Sequence, residues 1–261
     1  MAEPAAPPGR WALLVEYDGA PFVGWQRQAH GLSVQAVLEA AAARLAGGVA
    51  VGSTVAGRTD AGVHAAGQVA QLALDRPITP ERLREALNFH MKPHPVVVLR
   101  AAAAPPGWNA RFSAIRRRYR YVILNRRARP ALEAGLVWHL PAPLDAGAMH
   151  AAAQTLLGRH DFTSFRASAC QANSPLRTLD RLDVIRTGER IEIIAEARSF
   201  LHHQVRNLVG TLRLVGEGTW PVARVAAALA ARDRAAAGPT APAAGLCLMA
   251  VGYPVDPFAD G

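Results

Sequence analysis

Residues 11–17 read WALLVEY, a short apolar run of the length and composition that mark a buried strand. Working outward from it, residues 34–46 repeat apolar side chains at helical spacing, with Ser33 placed to cap the start. Strand-like runs follow at 49–55 and 68–74. Thr79-Pro80-Glu81 then opens a helix running to about Asn88, with proline at the first helical position, and residues 96–100 read as a buried strand. The order is βαββαβ. It recurs from Tyr119: a strand to Leu124, a helix from about Asp145 to Leu157, strands at 182–186 and 191–197, and a helix from about His203 to Val215. In that helix Val205, Leu208, Val209, Leu212 and Val215 share one face. An extra Ala-rich helix near 222–231 precedes a last strand at 246–251. Two such split units predict an α+β fold of two ferredoxin-like halves, with antiparallel-rich sheets flanking a basic cleft that could take an RNA stem. The repeat is architectural, because the halves share no convincing residue identity. Proline-marked linkers near 104–106 and 141–143 suggest a tail over 1–9, an N-terminal half over 10–106 and a C-terminal half over 107–261.

The chain of 261 residues carries a net charge of +9, and the location of that charge is informative. Between Ala86 and Leu132 there is no Asp or Glu, yet Lys92, Arg100, Arg111, Arg116, Arg117, Arg118, Arg120, Arg126, Arg127 and Arg129 all fall there. Trp108, Phe112, Tyr119 and Tyr121 are interleaved with them. Cations mixed with aromatics are the expected footprint of a phosphate backbone and of stacking platforms for bases. A solvated basic face in an Arg-biased chain, whose one lysine is Lys92, is the plainer alternative. Cys170 and Cys247 lie far apart and match no zinc or C-x-x-C spacing, which suits a reduced, cytoplasmic protein. The opening MAEPAAPPG lacks the basic start and apolar core of a signal peptide, and no apolar run approaches the ~20 residues of a membrane span.

Residues 57–64 read GRTDAGVH, a polar loop bracketed by glycines between two apolar strands. Asp60 is the only acid between Glu39 and Asp75. A tight turn with Gly62 at positive φ would account for the string without chemistry. His202 and His203 invite a metal reading, but adjacent helix positions point about 100° apart, and no Cys or carboxylate is spaced to help, so no metal is expected.

The string GRTDAGVHAAGQVA, residues 57–70, resembles the signature loop of the tRNA pseudouridine synthase A family. Residues 15–28 (VEYDGAPFVGWQRQ), 33–35 (SVQ), 109–121 (NARFSAIRRRYRY), 158–166 (GRHDFTSFR), 200–210 (FLHHQVRNLVG) and 245–248 (GLCL) resemble its other blocks in the right order. The resemblance implies a two-halved α+β fold, a homodimer, and isomerisation of uridine to pseudouridine at positions 38, 39 and 40 of the tRNA anticodon stem-loop. It makes Asp60 the catalytic carboxylate and Tyr119 the active-site tyrosine that stacks on the uracil. Arg206 would be the arginine that pairs with the Asp from the other half, Arg58 the loop arginine that fills the gap left by a flipped nucleotide or grips a phosphate, and Leu246 an apolar wall of the uracil pocket. Tyr121 shares a strand face with Tyr119 and reads as packing. The isomerisation has no redox change and no energy input, so it requires no cofactor. Residues 89–95, FHMKPHP, depart from the family's usual Leu-Pro-x-Asp-Ile stretch, outside the catalytic set.

Two other readings fit part of the pattern. An RNA-binding module without chemistry explains the basic window but has no need of Asp60. A nucleoside hydrolase normally uses two facing carboxylates, and the loop offers one.

Overall fold

The computed structural model describes residues 9–259. Most of the tail expected over 1–9 lies outside the described residues; Gly9 itself opens a strand. The architecture is mixed α/β with mostly antiparallel strand pairing and five α-helices among the described residues, which agrees with the α+β expectation. The chain divides into two compact units. One holds the described residues up to Ile115 together with those from Leu248 onward, and the other holds Arg116–Cys247.

In the first unit the elements are β1 (Gly9–Tyr17), α1 (Val34–Leu45), β2 (Ser53–Val55), β3 (His64–Leu74), α2 (Pro80–Met91) and β4 (Val96–Ala103). Strand β1 lies between β3 and β4, antiparallel to both, and Leu13 stands opposite Ala70 on one side and Ala101 on the other. Ser33 caps α1, its Oγ accepting from the Ala36 N–H at 3.1 Å, and Val34, Val37, Leu38, Ala41 and Leu45 bury one helical face. Thr79 caps α2 in the same way, ahead of Pro80. That helix runs past Asn88 to Met91, because Met91 continues the buried face of Leu83 and Leu87, and it stops where Pro93 disfavours helical backbone at Lys92. The strand expected at 49–55 shrinks to three residues on β3, whereas β3 begins four residues earlier than Gln68.

The second unit comprises β5 (Arg116–Leu124), β6 (Trp138–His139), α3 (Ala146–Gln154), β7 (Gly158–Asp161), β8 (Leu176–Thr187), β9 (Arg190–Ala197), α4 (Gln204–Gly216) and α5 (Ala223–Ala231). Strand β10 (Leu246–Gly252) starts in this unit and ends in the first, where it neighbours β3. Antiparallel ladders give the order β5-β9-β8-β7, and β6 runs parallel to β5. Strands β6 and β7 depart from the expected order. The block at 158–166 is β7 followed by a 3-10 turn at Thr163–Phe165, with Phe162 and Phe165 fully buried.

Helix α4 carries the predicted apolar face, but it is enclosed on other sides as well: Gln204, Asn207, Gly210, Thr211 and Gly216 are buried. The segment at 234–241 covers it. Thr240 Oγ1 donates to Asn207 Oδ1 at 2.6 Å, and the Gly238 N–H donates to Thr211 Oγ1 at 2.9 Å. The two backbones touch at Gly210, where a Cβ would stand 1.7 Å from the Pro239 carbonyl oxygen. Gly210→Ala is therefore expected to destabilise the protein by about 2–3 kcal/mol, even though alanine is favoured over glycine by about 1 kcal/mol in a helix. Urea denaturation of the two proteins checks this, and a stability equal to wild type would contradict the close crossing.

Candidate active site

The loop carrying Asp60 joins β2 to β3 in the first unit and is held from several directions. Thr59 is buried and its Oγ1 lies 2.7 Å from the Tyr17 hydroxyl, while the Thr59 carbonyl accepts from the Trp25 N–H at 3.1 Å. The Val63 N–H closes a turn onto the Asp60 carbonyl at 3.1 Å, with Gly62 at φ +75°, and the Gly62 N–H reaches the Phe22 carbonyl. Gln68, fully buried on β3, donates from Nε2 to the Gly57 carbonyl at 2.7 Å. The turn anticipated for this string is thus present, and it works as a mount. Asp60 itself is partly exposed and Arg58 is exposed.

Segment 17–25, YDGAPFVGW, is what makes the mount rigid. A Cβ on Gly19 would lie 2.1 Å from the Val63 carbonyl oxygen, and one on Gly24, at φ +110°, would lie 2.7 Å from the Thr59 carbonyl oxygen. Both close backbone approaches need the missing side chain. The Gly19 N–H also donates to His64 Nδ1 at 3.1 Å. Sequence reading noted this block only through its resemblance. The signal available there was two glycines and three aromatics in nine residues, whose purpose appears once the loop they touch is in place.

In the second unit, Tyr119 lies on β5, buried, with the Phe200 ring set edge-on at 5.3 Å. Tyr121 points to the same side, fully buried, and its hydroxyl donates to the Pro242 carbonyl at 2.8 Å. Burial pushes the Tyr121 phenol well above the usual tyrosine range, with the positive charge of Arg206 pulling in the opposite direction. Arg206 projects from α4 and its Nε donates to the Ala241 carbonyl at 2.8 Å. Neighbouring carbonyls at 241 and 242 therefore anchor both the helix arginine and the strand tyrosine. Leu246 opens β10 and is buried; just before it, Gly245 packs so tightly that a Cβ would meet the Tyr121 ring at 2.6 Å. Arg58 and Asp60 thus share one loop of the first unit, and Tyr119, Arg206 and Leu246 lie in the second.

Two expectations change. The acid-free arginine window reads as a phosphate-binding footprint, but strand alternation splits the run at 116–120. Arg117 turns inward, buried, and donates to the Arg198 carbonyl, whereas Arg118 pairs with Glu196 at 2.6 Å, Arg116 with Glu196 at 3.9 Å and Arg120 with Glu192 at 3.8 Å. The acids come from β9, beyond the acid-free window, so that window overstates the free charge. Of the four aromatics expected as stacking platforms, Trp108, Tyr119 and Tyr121 are buried and Phe112 is exposed. The second change concerns His203, which is the N-cap of α4 with left-handed backbone (φ 60°, ψ 4°) and not a helical residue. The 100° separation does not apply to it, and the His202 and His203 rings lie 4.0 Å apart.

The family described as tRNA pseudouridine synthase matches this chain over residues 13–113 and 152–254. The tRNA pseudouridine synthase A of Acidiphilium cryptum (strain JF-5) is 73% identical over 250 residues, covering 95% of this chain and 98% of that protein. That of Gluconobacter oxydans (strain 621H) is 57% identical over 263 residues, with 99% and 96% covered, and that of Rhodospirillum centenum (strain ATCC 51521 / SW) is 60% identical over 244 residues, with 94% and 99% covered. The chain belongs to the tRNA pseudouridine synthase family. It is an isomerase, and its reaction is the isomerisation of uridine in tRNA. No helix among the described residues is long and apolar enough to cross a membrane.

Two variants test the supports. Gly24→Ala pushes on the Thr59 carbonyl beside Asp60, and a displacement of about 1 Å there is expected to lower single-turnover pseudouridine formation about a hundredfold. Thermal melting run alongside shows whether the loss exceeds what unfolding explains. Tyr121→Phe is expected to cost about 1 kcal/mol near neutral pH through the lost bond to Pro242. The folded-state value of Tyr121 is raised, so its contribution is complete below the unfolded value of about 10 and falls as pH rises beyond it. The variant should therefore lose less stability than wild type between pH 9 and 11 in urea titrations.

Proposed function

We propose that this protein converts uridine to pseudouridine at positions 38, 39 and 40 of the tRNA anticodon stem-loop, with Asp60 as the reacting carboxylate. The observation that carries this reading is a single acid on a loop that buried hydrogen bonds and two glycine contacts hold in place, in a chain of this family. The net reaction breaks the bond from N1 to C1′, joins C5 to C1′, and moves the C5 proton to the solvent-exchangeable N1 position. No electrons are gained or lost, so the chemistry calls for a carboxylate at the sugar, a proton acceptor and a means of holding the detached base.

Asp60 acts as nucleophile at C1′ or C6, or as base at C2′ by way of a glycal. Tyr119 stacks on the everted uracil with Phe200 behind its ring, Leu246 closes the apolar side, and Arg206 pairs with Asp60. Arg58, exposed at the loop tip, fills the space that the everted nucleotide vacates or grips a phosphate. The two units act as ferredoxin-like halves that flank a basic cleft for the stem. The enzyme works as a cytoplasmic homodimer without cofactor. Support for these points is the resemblance of the motif blocks, and the relatives at 57–73% identity are named tRNA pseudouridine synthase A.

Incubation of an unmodified tRNA transcript with purified protein, followed by carbodiimide treatment and primer extension, reads the outcome directly. Wild type should give stops one nucleotide 3′ of the modified uridines, and Asp60→Ala none. Equal stops from both proteins would reject the catalytic role of Asp60. Stops elsewhere in the tRNA would reject the anticodon-arm assignment, and released uracil would point to hydrolysis.

A further inference from the structure

In the second unit, Arg159, Arg177 and Arg198 line one depression of about 300 Å³ together with Ser174, Leu176, Thr178 and Ser199. Three strands bring them there: Arg159 is on β7 opposite Thr178 of β8, Arg177 is on β8, and Arg198 follows the last residue of β9. Several arginines of this unit find an acid. Arg118 has Glu196, Arg126 has Glu189, Arg181 has Asp183, Arg190 has Glu133 and Arg213 has Glu217. Among the described residues none of the three pocket arginines has a carboxylate partner. Asp161, the acid of β7, is engaged elsewhere, accepting from Thr163 Oγ1 at 2.6 Å and lying 3.7 Å from Arg232.

Arg177 is the most constrained. It is half-buried, with Nη1 donating to the Ser174 and Leu176 carbonyls at 2.9 and 2.6 Å and Nε buried without a partner. Burial lowers its pKa from the usual arginine value. Holding like charges together without acids costs stability unless an anion offsets it in the working state.

We propose that Arg159, Arg177 and Arg198, with the hydroxyls of Ser174, Thr178 and Ser199, bind one backbone phosphodiester of the RNA substrate. Arginine forks suit phosphate oxygens geometrically, and the three hydroxyls supply further donors around a tetrahedral anion. The placement is purposeful: Arg198 and Ser199 run directly into Phe200, whose ring touches Tyr119, so a phosphate gripped here is tied by two residues of chain to the wall behind the active-site tyrosine. Such a contact fixes the register of the strand and carries no base preference. The assignment rests on the reading of this chain as a tRNA isomerase.

The test uses the full-length protein and an unmodified tRNA transcript, with Kd measured by fluorescence anisotropy between 50 and 300 mM KCl and single-turnover rates measured at saturating tRNA. Variants are Arg159→Ala, Arg198→Ala and the double change to lysine, each checked by thermal melting. Each alanine variant should lower the magnitude of the log–log salt slope by about one unit and weaken Kd about fivefold at 0.15 M salt, the factor one phosphate contact contributes. The saturated rate should stay at the wild-type value, and the lysine double variant should keep the wild-type slope. Unchanged Kd and slope in variants that still modify tRNA would overturn the site alone. So would a slower saturated rate at unchanged Kd. Inorganic phosphate binding that disappears in the variants while the tRNA slope persists would make this a free-anion site, also against the proposal. A wild type that neither binds nor modifies tRNA would instead remove the functional reading, and this site with it.

Discussion

The contact between segment 17–25 and the loop at 57–63 is the constraint that fixes where Asp60 stands. A carboxylate on a surface loop is ordinarily free to sample rotamers and backbone states, so its position would vary from one molecule to the next. Here the loop backbone is pinned on two sides by Gly19 and Gly24, with no side chain between the two main chains. Tyr17 and Gln68 satisfy the polar groups that this burial would otherwise leave unpaired. The loop is polar in sequence and rigid in structure for the same reason: its hydrogen-bonding groups are spent on neighbours.

The second unit solves a similar problem with carbonyls. Arg206 and the Tyr121 hydroxyl both end on the short run at 241–242, and that run is carried over α4 by the backbone crossing at Gly210 and Gly238. A helix, a strand and a connecting segment are thereby locked to one another through three short contacts. Tyr119 inherits its position from this arrangement, because it sits two residues from Tyr121 on the same strand face.

Much of the frame was legible from the chain alone, and the reasons are specific. Ser33 and Thr79 sit where helix caps belong, and both cap through their side chains. The apolar spacing from Val205 to Val215 located α4 within a residue or two. Strand β7 was not legible, because GRHD has neither alternation nor β-branched residues, and its extended state comes from pairing with β8. The two residues of β6 are too few to show a pattern. Charge was misjudged for a related reason: a count along the chain registers Arg116, Arg118 and Arg120 but not Glu192 and Glu196, which lie more than seventy residues later. At the site, Asp60 stood out as a lone acid among glycines, whereas the purpose of Gly19 and Gly24 depends on distances that no string of letters encodes.

The chain leaves the first unit at Ile115 and returns to it at Leu248. Its apolar cluster joins Trp108 and Ala110 to Phe258, and Arg100 donates to the Phe258 carbonyl, so this unit is assembled from both ends of the polypeptide. The unit that bears Asp60 is therefore discontinuous in sequence, and the other unit is one uninterrupted stretch inserted into it. The carboxylate loop takes its hydrogen-bonded support from residues 17–68, whereas the Trp108 cluster of the same unit is closed only by the returning segment.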